Sequence, residues 1–404
     1  MPGRFLHSFA KPSSESFINI VRGDMARLWD DAGHDYIDAI GSLWYCQIGH
    51  GRREMADAIA AQVSTLETYS TFDPFTNPLA DAVAEKISSL SPLANARVFL
   101  CGSGSESIDT AMKLARVAQI QAGHPERTVI ITRDRGYHGT NYGGTSAQGL
   151  PLNKVGYGTL LEGVIQVDAD NIEDMARAVE ENKGKLAAII AEPIQGAGGV
   201  WPSSSEYLAQ LRRICDDNGA YLIFDEVITG FGRLGTWFGA QYYGVTPDMI
   251  TFAKGVTSGY QPLGGVITNG VVNDALLSDP AFFLRTGYTY SGHATVCAAA
   301  LKNLEIMERE NLLDRATHVG TRIEDGLRAL TNDGTLTGYR GAGAIWAGKL
   351  PDGMDATVVR DTMIKRGVIA RAIPGVIAFC PPLVITDDEL NTVLDVFASV
   401  VQAG

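Results

Sequence analysis

The sequence predicts an α/β protein: a large domain with a mainly parallel central sheet, joined to a small α/β domain built from both ends of the chain. Three observations predict it. Short apolar strands alternate with helices through the middle of the chain, which implies crossover connections and a parallel sheet. Strand-like runs occur near the N-terminus and again in the tail. The length of 404 residues is too great for one small core and fits one large unit with a companion.

The elements follow in order. MARLWD (Met25–Asp30) and HDYIDA (His34–Ala39) read as strands between turns. From Arg53 the period becomes helical, in REMADAIAAQVSTL (Arg53–Leu66) and PLADAVAEKISSL (Pro78–Leu90). ARVFLC (Ala96–Cys101) reads as a buried strand before the helix IDTAMKLARVAQIQ (Ile108–Gln121). TVIITRD (Thr128–Asp134) follows, then KLAAIIAEP (Lys185–Pro193) before the helix SEYLAQLRRICDDNG (Ser205–Gly219). AYLIFDEV (Ala220–Val227), DMITFAK (Asp248–Lys254) and GGVITN (Gly264–Asn269) complete the series of strands. One long helical segment runs from Ala294 to Thr331. The tail mixes strand and helix, from GAIWAGKL (Gly343–Leu350) to DDELNTVLDVFASVV (Asp387–Val401). With no repeat or linker, the two domains are expected to pack together: residues 50–297 as the large one, residues 1–49 and 298–404 as the small one.

Composition narrows the partners. A formal net charge of −13 argues against nucleic acid and anionic membranes. No apolar run is long enough to span a bilayer, and MPGRFLHSFAKPSSES lacks the apolar core of a signal peptide. Cys46, Cys101, Cys215, Cys297 and Cys380 are scattered, with no CxxC pair or Cys/His cluster. Free thiols in a reducing cytoplasm, and no metal, are the expectation.

Four places carry chemistry. In CGSGSES (Cys101–Ser107), Ser103, Gly104 and Ser105 lie between strand and helix, where free N–H groups suit a phosphate. A Gly-rich turn with a serine cap accounts for the loop as well. Tyr137, before His138 and Gly139, offers a ring to stack on a flat ligand, or is a surface tyrosine. Asp225 ends an apolar strand, where a buried acid needs a cationic partner. That partner is a ligand's ring nitrogen or Arg233, unless Asp225 caps a helix. Lys254 ends MITFAK before a glycine; it is a desolvated amine suited to Schiff-base chemistry, or a lysine that reaches to solvent. Each is weak alone. Together, in this order on strand ends, they are the parts that pyridoxal phosphate (PLP) needs: an anion cradle, a ring stack, a partner for the ring nitrogen and an amine for the aldehyde. A dinucleotide-binding dehydrogenase is the competing class, but the third glycine of its fingerprint is replaced by Ser107.

The motifs SGSESIDTAMKLAR, YHG, AEPIQGAGG, LIFDEVITGFGRLG, TFAKG and TYSGHATVCAAA resemble the class III aminotransferases of PLP fold type I, over nearly the whole chain. Within them the sequence is most similar to the amine:pyruvate and β-alanine:pyruvate group. The resemblance implies a transaminase that takes an amino group from a primary amine or ω-amino acid to a keto acid, pyruvate above others, by ping-pong kinetics. Decarboxylation and intramolecular amino transfer are the alternatives on the same scaffold. It further implies that Lys254 anchors PLP and moves the proton, and that Asp225 pairs with the ring nitrogen. Tyr137 and Val227 would sandwich the ring, with His138 and Glu192 beside it. Ser103, Gly104 and Ser105 would hold the phosphate, with Thr289 reaching it from a neighbouring subunit, so at least a homodimer with shared sites is implied. Trp44 and Phe72 would line the substrate pocket, and Arg371 would grip a substrate carboxylate. The sequence departs from the family at Ser107, where alanine is usual, and at Ala294, where proline is usual. The stretch from Thr331 to Gly367 is also shorter than expected.

Overall fold

The computed structural model describes residues 4–404. Its centre is a seven-stranded sheet in the order Arg97–Cys101, Gly264–Thr268, Met249–Phe252, Tyr221–Asp225, Leu186–Ala191, Val129–Arg133 and Val164–Val167. The five strands from Met249–Phe252 onward pair in parallel. Every residue of Leu186–Ala191, Tyr221–Asp225 and Met249–Phe252 is buried, as expected of strands covered by helices on both faces.

The sheet differs from the sequence reading at two places. Gly264–Thr268 runs antiparallel to both neighbours. Only a loop and one short 3-10 turn connect it to Met249–Phe252, and a parallel return needs a longer crossover. Val164–Val167 was not expected as a strand; at the sheet edge it is half-buried and lacks a strong apolar run.

The two ends of the chain meet. Ile20–Asp24, Arg27–Asp30 and Asp35–Asp38 form a sheet whose last member is Val368–Ile369, parallel to Asp35–Asp38. A second four-stranded sheet orders Gly338–Ala342, Ile345–Lys349, Val376–Phe379 and Arg371–Ile373. The helices Leu312–Asn332, Ala356–Lys365 and Asp387–Ala403 pack with these strands. The long helical segment from Ala294 consists of two helices, Ala294–Arg309 and Leu312–Asn332. Asn311 breaks it at φ +55°, a left-handed conformation that asparagine tolerates better than most residues.

What positions the site is the parallel part of the sheet. Asp225 is in register with Thr251, and Phe224 with Ala191. The chain therefore leaves the carboxyl ends of neighbouring strands at Asp225, Lys254 and Glu192 together, the edge where α/β sheets bind ligands.

Candidate active site

The helix Gly104–Gln121 begins beside this edge. Ser103 Oγ accepts the Glu106 N–H at 3.2 Å, and Glu106 Oε2 accepts the Gly102 N–H at 2.6 Å. The capping expected of a serine is thus real, and it leaves the N–H groups of Gly104 and Ser105 pointing outward with no helical acceptor. A Cβ on Gly104 would lie 3.0 Å from both methyls of Val227, so glycine lets the helix end sit directly on that residue. Ser105 Oγ accepts the Thr140 N–H at 3.0 Å, which fastens the Tyr137–Thr140 loop over the same helix end. Gly139, at φ +95°, makes the approach possible, since a Cβ there would lie 2.6 Å from Ser105 Oγ. Ser107 adds a lock: its hydroxyl lies 2.8 Å from the Ser103 carbonyl and 2.9 Å from that of Phe252, and it donates to one of them at a time.

Asp225 is buried, 5% exposed. One oxygen accepts from Thr251 Oγ1 at 3.2 Å and from the Val227 N–H at 3.2 Å; the other lies 2.7 Å from His138 Nδ1. Arg233, the alternative partner, is elsewhere: it donates to the carbonyls of Ala344 and Pro381. Behind Tyr137 lies a second buried acid, Glu192, whose oxygens accept the N–H groups of Tyr137 at 2.8 Å and Gly196 at 3.1 Å. Burial pushes Glu192 up to about 7, His138 opposes the rise and Asp225 adds to it.

Lys254 lies among these groups. Burial lowers the proton affinity of Nζ; the carboxylates of Asp225 and Glu192 and the Cys380 thiol act against this, and Arg371 acts with it. Burial raises the Tyr137 phenol, and it too feels Asp225 and Arg371. Arg371, on a tail strand, therefore faces the same space as Lys254 and Tyr137. Ser103, Gly104, Ser105, Tyr137, Val227 and Lys254 are all half-buried, whereas His138, Glu192 and Asp225 behind them are buried. The half-buried set is the surface a ligand would touch, and the buried set supports it.

These residues fit PLP. A phosphate needs free N–H groups at a helix start, present at Gly104 and Ser105. A protonated ring nitrogen needs an anion shielded from water, present at Asp225. An amine that reacts with an aldehyde needs a lowered proton affinity, present at Lys254. The sequence reading missed Thr251, whose contact follows from its register with Asp225, and Arg133, which donates to the Glu192 carbonyl from the neighbouring strand. Among the described residues, no group of three or more His, Cys, Asp or Glu is placed to hold a metal, and no helix is long and apolar enough to cross a membrane.

Trp44, Phe72 and Thr289 are placed as follows. Trp44 is buried, on a turn with φ +69°, and its ring lies near Gly196 and Ile228. It thus adjoins the Glu192 and Val227 loops. Phe72 and Thr289 are exposed and are not brought to Lys254 within the chain. They share one surface module: Phe72 lies by Gly287, Thr71 Oγ1 donates to the Ser291 carbonyl at 2.8 Å, and Asn77 Nδ2 donates to that of Gly292 at 2.8 Å.

The class-III aminotransferase family matches residues 8–401. The β-alanine–pyruvate aminotransferase of Pseudomonas aeruginosa is 38% identical over 346 residues, covering 80% of this chain and 77% of the relative. A transaminase structure from the marine bacterium Virgibacillus superposes with a TM-score of 0.96 at 34% identity, covering 99% of this chain and 97% of its own. A PLP-bound amine transaminase from an uncultivated Pseudomonas species gives 0.94 at 34% identity, covering 100% and 99%. These relatives are transaminases, which favours amino transfer between two substrates over decarboxylation or intramolecular transfer. The chain belongs to the class-III aminotransferases, and it is a PLP-dependent transaminase.

Proposed function

We propose that this transaminase takes an amino group from a primary amine or ω-amino acid and gives it to pyruvate, with Lys254 as the lysine that anchors PLP. The observation that carries the reading is Lys254 itself, a half-buried amine that leaves the same sheet edge as the buried carboxylates of Asp225 and Glu192. Pyruvate as acceptor is supported by the name of the Pseudomonas aeruginosa relative.

Bound PLP supplies an aldehyde that captures amines and a ring that withdraws electrons. The protein's own residues do the rest. With PLP held there, Lys254 Nζ would be the base that takes up and gives back the substrate's proton. Asp225 keeps the ring nitrogen protonated; His138 and Thr251 fix its carboxylate. Tyr137 and Val227, both half-buried at the site, would hold the ring. Glu192 holds the Tyr137 and Gly196 backbone in place. Ser103, Gly104 and Ser105 receive the phosphate. Arg371, from the small domain (1–49 and 298–404), binds the acceptor's carboxylate over the large domain (50–297), and gives way when a donor has none. Trp44 limits the bulk of the donor. Thr289, carried on the exposed module with Phe72, completes the phosphate site of a second subunit, so the working unit is a homodimer. The cytoplasm is the proposed location, where the five buried cysteines stay free.

The test is a panel of ω-amino acids, simple chiral amines and polyamines, with pyruvate or 2-oxoglutarate as acceptor, read by keto-acid consumption. Pyruvate consumed mole for mole with donor, by ping-pong kinetics, is the expected result. Turnover of 2-oxoglutarate alone would overturn the acceptor assignment.

A further inference from the structure

Lys254 has a strained backbone. It stands at φ +48°, a left-handed conformation that a residue with a side chain adopts only under strain. It opens a short 3-10 turn, Lys254–Val256, directly after the strand Met249–Phe252. Such a conformation persists only where the surroundings fix it.

Two groups fix this turn from behind. Asn303 is fully buried on the helix Ala294–Arg309, among mostly apolar neighbours. Its Nδ2 donates to the Gly255 carbonyl at 3.0 Å and to the Val256 carbonyl at 3.0 Å. Both acceptors are carbonyls, so the amide's orientation is determined. Ser258 Oγ, at the far end of the turn, accepts the N–H groups of Gln47 and Ile48, each at 3.3 Å. Gly255 leaves no room for slippage, since a Cβ there would lie 2.2 Å from Gln47 Nε2. A buried amide on an apolar helix face is costly unless bonded, and this one spends its donors on the two residues that follow Lys254.

We propose that Asn303 is a positioning residue for catalysis: by clamping the Gly255 and Val256 carbonyls it holds Lys254 in its left-handed turn and so sets where Nζ stands relative to Asp225 and Glu192. The inference rests on the reading of Lys254 as the reactive lysine. A residue that only filled the core would affect stability; a clamp on the Lys254 turn also changes how Nζ binds its proton and how fast it moves one.

The variants are Asn303→Leu, which keeps the volume and removes the donors, and Asn303→Ser, a smaller change that keeps the protein soluble should leucine not fold. Three readouts apply to each. In cofactor-free protein, acetylation of Lys254 by acetic anhydride is followed against pH by peptide mass spectrometry. In the holoenzyme, the pH titration of the cofactor's visible absorption is recorded. Steady-state kinetics separate kcat from KM. In a folded variant the midpoint of Lys254 acetylation moves by about one pH unit, the absorption titration moves with it, and kcat falls about ten- to a hundred-fold while the amine KM stays within about three-fold. Unchanged midpoints with kcat within about two-fold in either folded variant overturn the clamp and leave Asn303 a packing residue. Lys254→Ala is the control: if that protein keeps the absorption titration, the assignment of Lys254 falls, whereas its loss beside unchanged Asn303 variants overturns only the inference about Asn303.

Discussion

Asp225 and Glu226 are neighbours on one strand end with opposite duties. Successive residues of a strand point to opposite faces, so one carboxylate turns toward Tyr137 and Lys254 and the other into the protein. Glu226 is fully buried; its oxygens accept the N–H groups of Ala240 at 2.8 Å and Gly239, and the Thr229 hydroxyl at 3.0 Å. It thereby caps the short helix Gly239–Tyr243. Burial raises it to about 7 even though those donors pull it down. An acid raised on folding adds stability that is complete below its usual value of 4.5 and disappears as pH climbs through about 7. A rise of this size corresponds to about 3 kcal/mol. The stability margin of the native protein over a Glu226→Gln variant should therefore shrink by about that amount between pH 4.5 and 8. Urea melts of both proteins across this range check it, and a pH-independent margin would show that Glu226 is ionised throughout. The sequence displayed both acids but not their division of labour. His138 reaches Asp225 from another strand's loop, and Thr251 does so by sheet register, neither of which is a local signal.

At the scale of elements, local chemistry was legible where it decides the structure. Pro78–Leu90 matches its expected bounds, with Asn77 as cap and proline at its first turn. Ser205–Asn218 ends at Gly219 in the left-handed conformation, the glycine stop its sequence displays. What stayed hidden was decided by packing. The break at Asn311 has neither glycine nor proline to announce it, and the reversal of Gly264–Thr268 follows from how a loop closes on the sheet. Ser107 is a departure from the family that the structure explains. Its fully buried hydroxyl ties the first turn of the helix Gly104–Gln121 to the end of the strand before Lys254. Ser107→Ala restores the family's usual residue yet leaves the Phe252 carbonyl short of this donor. It should cost about 1 kcal/mol, seen as a fall of about 1 °C in Tm for a chain of this length, with PLP affinity near that of the parent. An unchanged or higher Tm would mean that the hydroxyl is merely tolerated.

The single chain leaves its phosphate cradle half-open, while an exposed module elsewhere carries Thr289 together with Phe72, Phe283 and Tyr290, each of these rings more than half exposed. Exposed aromatics packed on one ordered module are unusual for a surface that faces only water, and they suit burial in a two-fold interface. In the proposed symmetric dimer each subunit would lend its Thr289 to the cradle formed by Ser103, Gly104 and Ser105 of the other. This arrangement makes a prediction that a purely local role cannot. Thr289→Ala should weaken PLP binding by about ten-fold, the loss of one hydrogen bond to a charged group. A mixed dimer of one Thr289→Ala subunit and one Lys254→Ala subunit should recover one intact site of the two, because the subunit with Lys254 receives the other's threonine. Purified through two different affinity tags, it should show about half the native activity per dimer, at native PLP affinity. If Thr289 served its own subunit, the only site with Lys254 would lack its threonine and the mixed dimer would bind PLP no better than the Thr289→Ala homodimer. Activity of the mixed species, titrated with PLP, therefore decides whether the cradle is completed from within the chain or from across the interface.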